Sequence, residues 1–452
     1  MRLFLICFMI ALGANTGEAS AADDLISLYQ QAVNYDAKYR AALANTDADR
    51  EEINKAKALF YPKAQLGASR GRGETGRTTQ TTNGTVESDL SYHTQNYALS
   101  VRQPLYNKET FATYQSAKSF VSSSEELLRQ ETAKLMLNLT GAYLEMLYAA
   151  EKVTLLKAKI HAVNRQLDQA EKRFKQGQGT VVEISEAETN LDIAKAELIL
   201  ANNALADHRE SLFNMTGKTV EAPASLDVQK LPAKLEEHLD FWLNNAKQHN
   251  PEIAAATHTV EVARQEIEKR RAGHYPTVDL VGVRSYSEND SNNTLGSRFD
   301  SATVAVQMNV PLFAGGYVNA SVRQAQDKLT AAEETLNSKL REARANVRKY
   351  FNNVHSQLLS ILAYQQAVKS AGIALDGTQK GFTAGIKTNI EVLDAQQKLF
   401  SSQLELSKTQ YGLINDWVNL KYSAGLLSEA ELAKISQLFT GSREVEKHAS
   451  NE

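Results

Sequence analysis

Two carboxylates three residues apart close the stretch GFTAGIKTNIEVLDAQ, Gly381 to Gln396: Glu391 and Asp394. In a helix that spacing puts both on nearly the same face. A related stretch, RFKQGQGTVVEISEAE, Arg173 to Glu188, carries Glu183 and Glu186 at the same spacing. On a single helix the same pair is a solvated face whose first-turn acids suit the helix dipole. Local structure accounts for part of the pattern. Thr388-Asn389-Ile390-Glu391 reads as a capping box, with threonine at the N-cap and glutamate three residues on, and Thr180-Val181-Val182-Glu183 reads as the same box. Asp394 and Glu186, one turn further along, have no capping duty. The glycines before each box, Gly381 and Gly385 around Phe382, and Gly177 after Phe174, suit the left-handed cap that ends a helix. Each stretch is therefore a helix, a glycine turn and a second helix.

The rest of the chain offers little other chemistry. It has no HExxH, GxSxG, phosphate-binding loop or GxGxxG after a strand. The nine histidines are scattered, with none at ligand spacing, and the single cysteine, Cys7, lies in the N-terminal apolar run. Catalysis is not expected, nor is a cofactor, and no energy-coupling site is legible. Lys and Arg number 50 against 53 Asp and Glu, for a net charge of −3, which argues against a nucleic-acid partner. The start, MRLFLICFMIALGANTGEASAADD, has Arg2, an apolar run Leu3–Leu12 and a small-residue site at Ala19-Ser20-Ala21. It reads as a cleaved secretory signal over residues 1–21. The run is about half of what a spanning helix needs, and no later run reaches the required length of about 20 residues.

The elements that position the acids come in a duplicated plan. FYPKAQLGASRG matches HYPTVDLVGVRS, LSVRQPLYN matches VQMNVPLFAGG, the two glycine stretches match each other, and LADHRESLFNMTG matches LINDWVNLKYSAG, in the same order. The first repeat is expected over residues 22–216, an insert over 217–250, a second repeat over 251–427, and a short helix with a disordered tail over 428–452. Each repeat predicts a first helix (Asp24 to Phe60; Pro251 to Ala272), two alternating strands (within about 62–104 and 276–311), a very long helix (Lys108 to Lys175; Asn319 to Gly381) and a second helix of the hairpin, ending near 215 and 425. In one strand Val304, Val306, Met308 and Val310 alternate with Thr303, Ala305, Gln307 and Asn309. The segments ETGRTTQTTNGTVESD and SENDSNNTLGSRFD between strands read as solvated loops. Four of the seven prolines, Pro62, Pro104, Pro276 and Pro311, fall at strand–helix junctions. The long helices would each reach about 100 Å.

Four amphipathic strands cannot close a barrel alone, and open edges are not tolerated in lipid. Two copies would supply eight strands and three copies twelve. From the residues alone, a soluble β-meander capping a periplasmic coiled coil stays open beside a membrane barrel, as does a secreted coiled-coil adhesin or spacer without a pore. The YP before a strand, QPLY and VPLFAGG after one, GFTAGIKTNIEVLDAQ and the Ala424-Gly425 pair, in this order over nearly the whole chain, resemble the TolC family of outer-membrane efflux proteins. The resemblance implies an α+β membrane protein. It would be a homotrimer whose four strands per chain form a twelve-stranded barrel in outer-membrane lipid, with a long α-helical barrel in the periplasm. It also implies a passive exit duct for multidrug efflux or type I secretion, docked to a periplasmic adaptor and an inner-membrane transporter of ABC or RND type. In the family the helix-tip turns form the periplasmic entrance, which implies gate roles for Phe382 and Lys387 and pore-entrance roles for Glu391 and Asp394, with Glu183 and Glu186 on the partner hairpin. Phe382 and Lys387 stand where the family more familiarly has tyrosine and arginine. Phe382 has no hydroxyl and Lys387 makes no bidentate contact, which weakens the case for a hydrogen-bonded lock.

Overall fold

The computed structural model describes residues 24–220, 224–232, 234–235, 237–291 and 294–440. The expected signal segment and C-terminal tail lie outside the described residues. The elements run α1 (Leu25–Tyr35), α2 (Ala37–Ala58), β1 (Lys63–Thr81), β2 (Gly84–Tyr106), α3 (Lys108–Lys175), α4 (Val181–Thr216), β3 (Ser225–Leu226), α5 (Leu239–His249), α6 (Pro251–Arg271), β4 (Thr277–Ser291), β5 (Thr294–Asn309), α7 (Tyr317–Thr383), α8 (Asn389–Ser423), α9 (Glu429–Ser436) and β6 (Phe439–Thr440). No described helix is long and apolar enough to cross a membrane. The chain divides into two compact units, and each draws on both sequence repeats.

One unit, Ala41–Glu131 with Lys247–Ala343, holds an antiparallel sheet in the order β1-β2-β4-β5. Residues directly opposite on neighbouring strands share a face. Leu66 lies opposite Leu99 and Ala68 opposite Tyr97. Tyr97 lies opposite Tyr286, and Gly282 and Leu280 face Val304 and Val306. The other face carries Gln65 opposite Ser100 and Ser285 opposite Ser301. The apolar face is uncovered within the chain: Leu66 is 77% and Val304 76% exposed. β1 and β5 are the two open edges of this sheet.

The structure differs from the sequence expectation in four places, one of them the second expected loop, 287–300, which is strand in β4 up to Ser291 and in β5 from Thr294. The segment expected as a loop between β1 and β2 is strand on both sides, paired out to Thr81 and Gly84. The turn between them is Thr82-Asn83, and Gly84 at φ +125° opens the returning strand. From Gly84 to His93, β2 pairs with β1 alone, since its ladder to β4 begins at Thr94. Pro104 lies inside β2, where the ladder to β4 shifts register between Pro104 and Tyr106. A bulge tolerates the missing donor. The first helix is broken at Asp36, whose backbone is extended and whose carboxylate accepts from the Tyr39 N–H at 2.7 Å. An Asx cap therefore starts α2.

The second unit, Met1–Arg40, Thr132–Ala246 and Arg344–Glu452, is helical, with β3 paired to β6 at its side. Its largest core joins Leu25 and Leu28 of α1, Leu139, Tyr143 and Met146 of α3, Leu212 of α4, Ile414 of α8 and Leu432 of α9, each buried. The three- and four-residue spacing in α3 places these side chains on one stripe. A second core sets Trp242 of α5 against Val347 and Val354 of α7 and Leu413 and Leu420 of α8. Ile414→Ala is expected to destabilise this unit by about 2–5 kcal/mol through lost burial and a cavity. Lys398→Ala, on the exposed face of α8, should change stability by less than about 0.5 kcal/mol in the same chemical-denaturation measurement.

Candidate functional site

The two glycine turns adopt one design. After α3, the Gln178 N–H donates to the Arg173 carbonyl at 3.0 Å and the Gly177 N–H to the Phe174 carbonyl at 2.9 Å. After α7, the Ile386 N–H donates to the Gly381 carbonyl at 2.9 Å and the Gly385 N–H to the Phe382 carbonyl at 3.0 Å. Gly177 and Gly385 take φ of +74° and +75°. These are Schellman caps, and the left-handed residue is why glycine stands there. Gly381 serves a different need: a Cβ on it would lie 2.7 Å from Lys387 Cγ, so its missing side chain lets Lys387 fold back.

At the start of α8 the capping box forms completely. Thr388 Oγ accepts from the Glu391 N–H at 3.3 Å, and Glu391 Oε2 accepts from the Thr388 N–H at 2.8 Å. Lys387 Nζ donates to Glu391 Oε1 at 2.5 Å. That contact, with the Thr388 N–H behind it, holds the Glu391 carboxyl below the ordinary glutamate range. Within the chain, Lys387 is thus engaged by its own helix turn. Asp394, one turn on, is exposed and has no partner among the described residues. At the start of α4 only half of the expected box exists. Thr180 accepts from the Glu183 N–H at 3.3 Å, while Glu183 Oε2 is buried without a hydrogen-bond partner, as is Glu186 Oε2. The carboxylate does not return to the cap, so the two turns are not equivalent.

Contacts between the hairpins follow the same asymmetry. Phe382 is 5% exposed, and the Arg173 guanidinium lies over its ring at 4.5 Å from the centroid. Phe174, its counterpart, is exposed. Asn389 is fully buried: its Nδ2 donates to the Glu183 carbonyl at 3.1 Å and its Oδ1 accepts from Gln166 Nε2. One amide thereby ties the start of α8 to both α3 and α4, beside the apolar contact of Val163, Leu191 and Leu393. Val181, its counterpart in the first repeat, is exposed. Arg173, Gln166 and Asn389 were not singled out by sequence pattern. The one available signal was an amide inside a capping box where the other repeat has valine.

Comparison with known proteins places this architecture. The family model for outer membrane efflux proteins matches residues 28–218 and 242–426. The proteases secretion protein PrtF of Dickeya chrysanthemi is 30% identical over 459 residues, covering 100% of this chain and 98% of that one. The alkaline protease secretion protein AprF of Pseudomonas aeruginosa is 30% identical over 426 residues, covering 93% and 88%. Among solved structures, CusC superposes with a TM-score of 0.78 at 18% identity, covering 89% of this chain and 92% of that one. The chain belongs to the outer membrane efflux protein family, the family of TolC. It is a transport protein of the outer membrane, not an enzyme: a channel of the tripartite efflux and type I secretion kind.

Two outcomes test the local account. Asn389→Val and Gln166→Leu are each expected to cost about 1–3 kcal/mol by stranding a buried polar partner, and the double variant less than their sum, read as a double-mutant cycle of thermal unfolding. For Glu391 the folded pKa lies below the unfolded value, so its contribution is complete above the ordinary 4.5 and is lost as pH falls through the lower folded value. Amide exchange of the first turn of α8 should accelerate only below that range, and the Glu391→Gln variant should show no such step.

Proposed function

We propose that three copies of the chain close their sheets into a twelve-stranded barrel in outer-membrane lipid, continued by their long helices into a periplasmic tunnel. The single observation that carries this reading is the sheet, with one apolar exposed face and two unpaired edges. Lipid would cover the face, and the edges require further strands. From Tyr97 to Tyr106 the apolar rows cover about 30 Å of strand, which at a tilt of about 40° gives a band of about 23 Å, close to the apolar height of outer-membrane barrels. Tyr61, Tyr106, Phe313 and Tyr317 are exposed where the strands meet the helices and suit an interfacial aromatic girdle.

In this reading the glycine turns form the periplasmic entrance. Asp394 and Glu391, with Glu183 and Glu186 of the other hairpin, contribute its negative charge, and Asp394 is the exposed member with no partner among the described residues. The arginine–phenylalanine stack and the Asn389 amide stand in for a lock to which Phe382 brings no hydroxyl and Lys387 no bidentate contact. Passage is passive. A periplasmic adaptor and an inner-membrane ABC or RND-type transporter complete the machine, in keeping with the relatives. The two relatives at 30% identity are both named for protease secretion, which supports a secreted polypeptide as cargo.

Conductance of the purified protein in planar lipid bilayers tests the entrance. Glu391→Gln with Asp394→Asn should lower cation preference severalfold and relieve block by divalent ions. Arg173→Gln should raise the conductance of the resting channel. Unchanged selectivity would remove the acids from the pore, and unchanged resting conductance would remove the stack from the gate.

A further inference from the structure

The apolar face of the sheet changes character within one row. Towards the hairpin ends, Leu66 opposite Leu99 is followed by Ala68 opposite Tyr97, then Arg70 opposite Gln95 and Arg72 opposite His93. On the neighbouring strands the corresponding rows are Tyr286 with Asp300 and Glu288 with Arg298. The rings of Tyr97 and Tyr286, 6.3 Å between centroids, mark the boundary. The charges of β4 and β5 cancel locally, through Arg284 with Asp300 at 2.7 Å and Arg298 with Glu288 at 3.0 Å. Those of β1 do not. Arg70 is exposed and has no ion-pair or hydrogen-bond partner among the described residues. Arg72 reaches Glu74 only at 3.9 Å and Ser91 Oγ at 3.5 Å, with both charged side chains largely in solvent.

We propose that Arg70 and Arg72 bind a phosphate group of an outer-leaflet lipid, the phosphorylated sugar headgroup of lipid A. The proposal rests on the reading that the apolar face meets lipid. Alternate residues of a strand stand on one face about 7 Å apart, so the two guanidinium forks address the same side. Guanidinium groups match phosphate oxygens with paired hydrogen bonds. Their level fits a headgroup, one and two rows beyond the tyrosine pair, where interfacial aromatics give way to charge. Their side fits the outer leaflet, because α3 and α7 leave from the opposite strand ends, after Tyr106 and Asn309. An acidic sugar phosphate would complete the neutralisation that Glu74 leaves partial.

The test uses the full protein reconstituted in phosphatidylcholine, with binding of lipid A read by native mass spectrometry and phosphatidylglycerol as the comparison lipid. R70Q/R72Q is expected to weaken lipid A binding by about tenfold, the scale of one lost charge-assisted hydrogen bond. R102Q, on the polar face, should leave it unchanged. Equal lipid A affinity in wild type and R70Q/R72Q overturns the proposal. So does equal preference for phosphatidylglycerol, or displacement of lipid A by millimolar inorganic phosphate. The underlying face assignment has its own readout: Leu99→Trp should be quenched by acyl-brominated phosphatidylcholine, after subtraction of the parent signal. Absent quenching defeats the lipid-facing reading itself. Quenching together with unchanged lipid A affinity in R70Q/R72Q defeats only the phosphate site.

Discussion

An apolar sheet face with unpaired edges is the constraint on which the rest of this molecule depends. Backbone donors and acceptors along β1 and β5 need partners, and in lipid no water can supply them. Leucine, valine and tyrosine side chains on the same sheet need a nonpolar cover, and no described element of the chain lies over them. In the proposed assembly, one requirement is met by more strands and the other by a bilayer. A secreted adhesin or spacer has use for neither, so the coiled-coil alternative loses its footing once the strands prove long, in register and one-faced.

The helical unit answers a different problem: holding two hairpins together beside the turns proposed as the entrance. Duplication supplies two similar turns, yet the contacts between them are unequal. In one repeat the aromatic residue is buried beneath a guanidinium and an amide is fully enclosed; in the other the matching phenylalanine and valine face solvent. A buried amide with both ends satisfied is directional in a way that apolar packing is not. The second hairpin is therefore tethered at a defined place, and the carboxylates around it divide into those spent on capping and those left over. Glu391 belongs to the first kind and Asp394 to the second.

Much of this was legible in the sequence, and the omissions have physical causes. Helix α3 was readable over its whole length because a long proline-free stretch with apolar steps of three and four ends at a glycine motif. The complete box at Thr388 was readable because capping is local. Its copy at Thr180 was over-read, since a capping pattern permits the returning carboxylate contact without enforcing it. The hairpin segment 74–89 looked like a loop because Thr, Gly and Ser dominate it; strand there is maintained by pairing with the other arm, which composition does not report. Gln166 and Asn389 lie 223 residues apart, and only folding brings them together.

The central claim is that the barrel is closed by three chains. Sedimentation equilibrium of the detergent-purified protein, at a solvent density that matches the detergent, counts the chains directly. The account predicts three per particle, stable to dilution. A particle of one chain would leave the edges of β1 and β5 open and the apolar face without its barrel, and it would contradict the account.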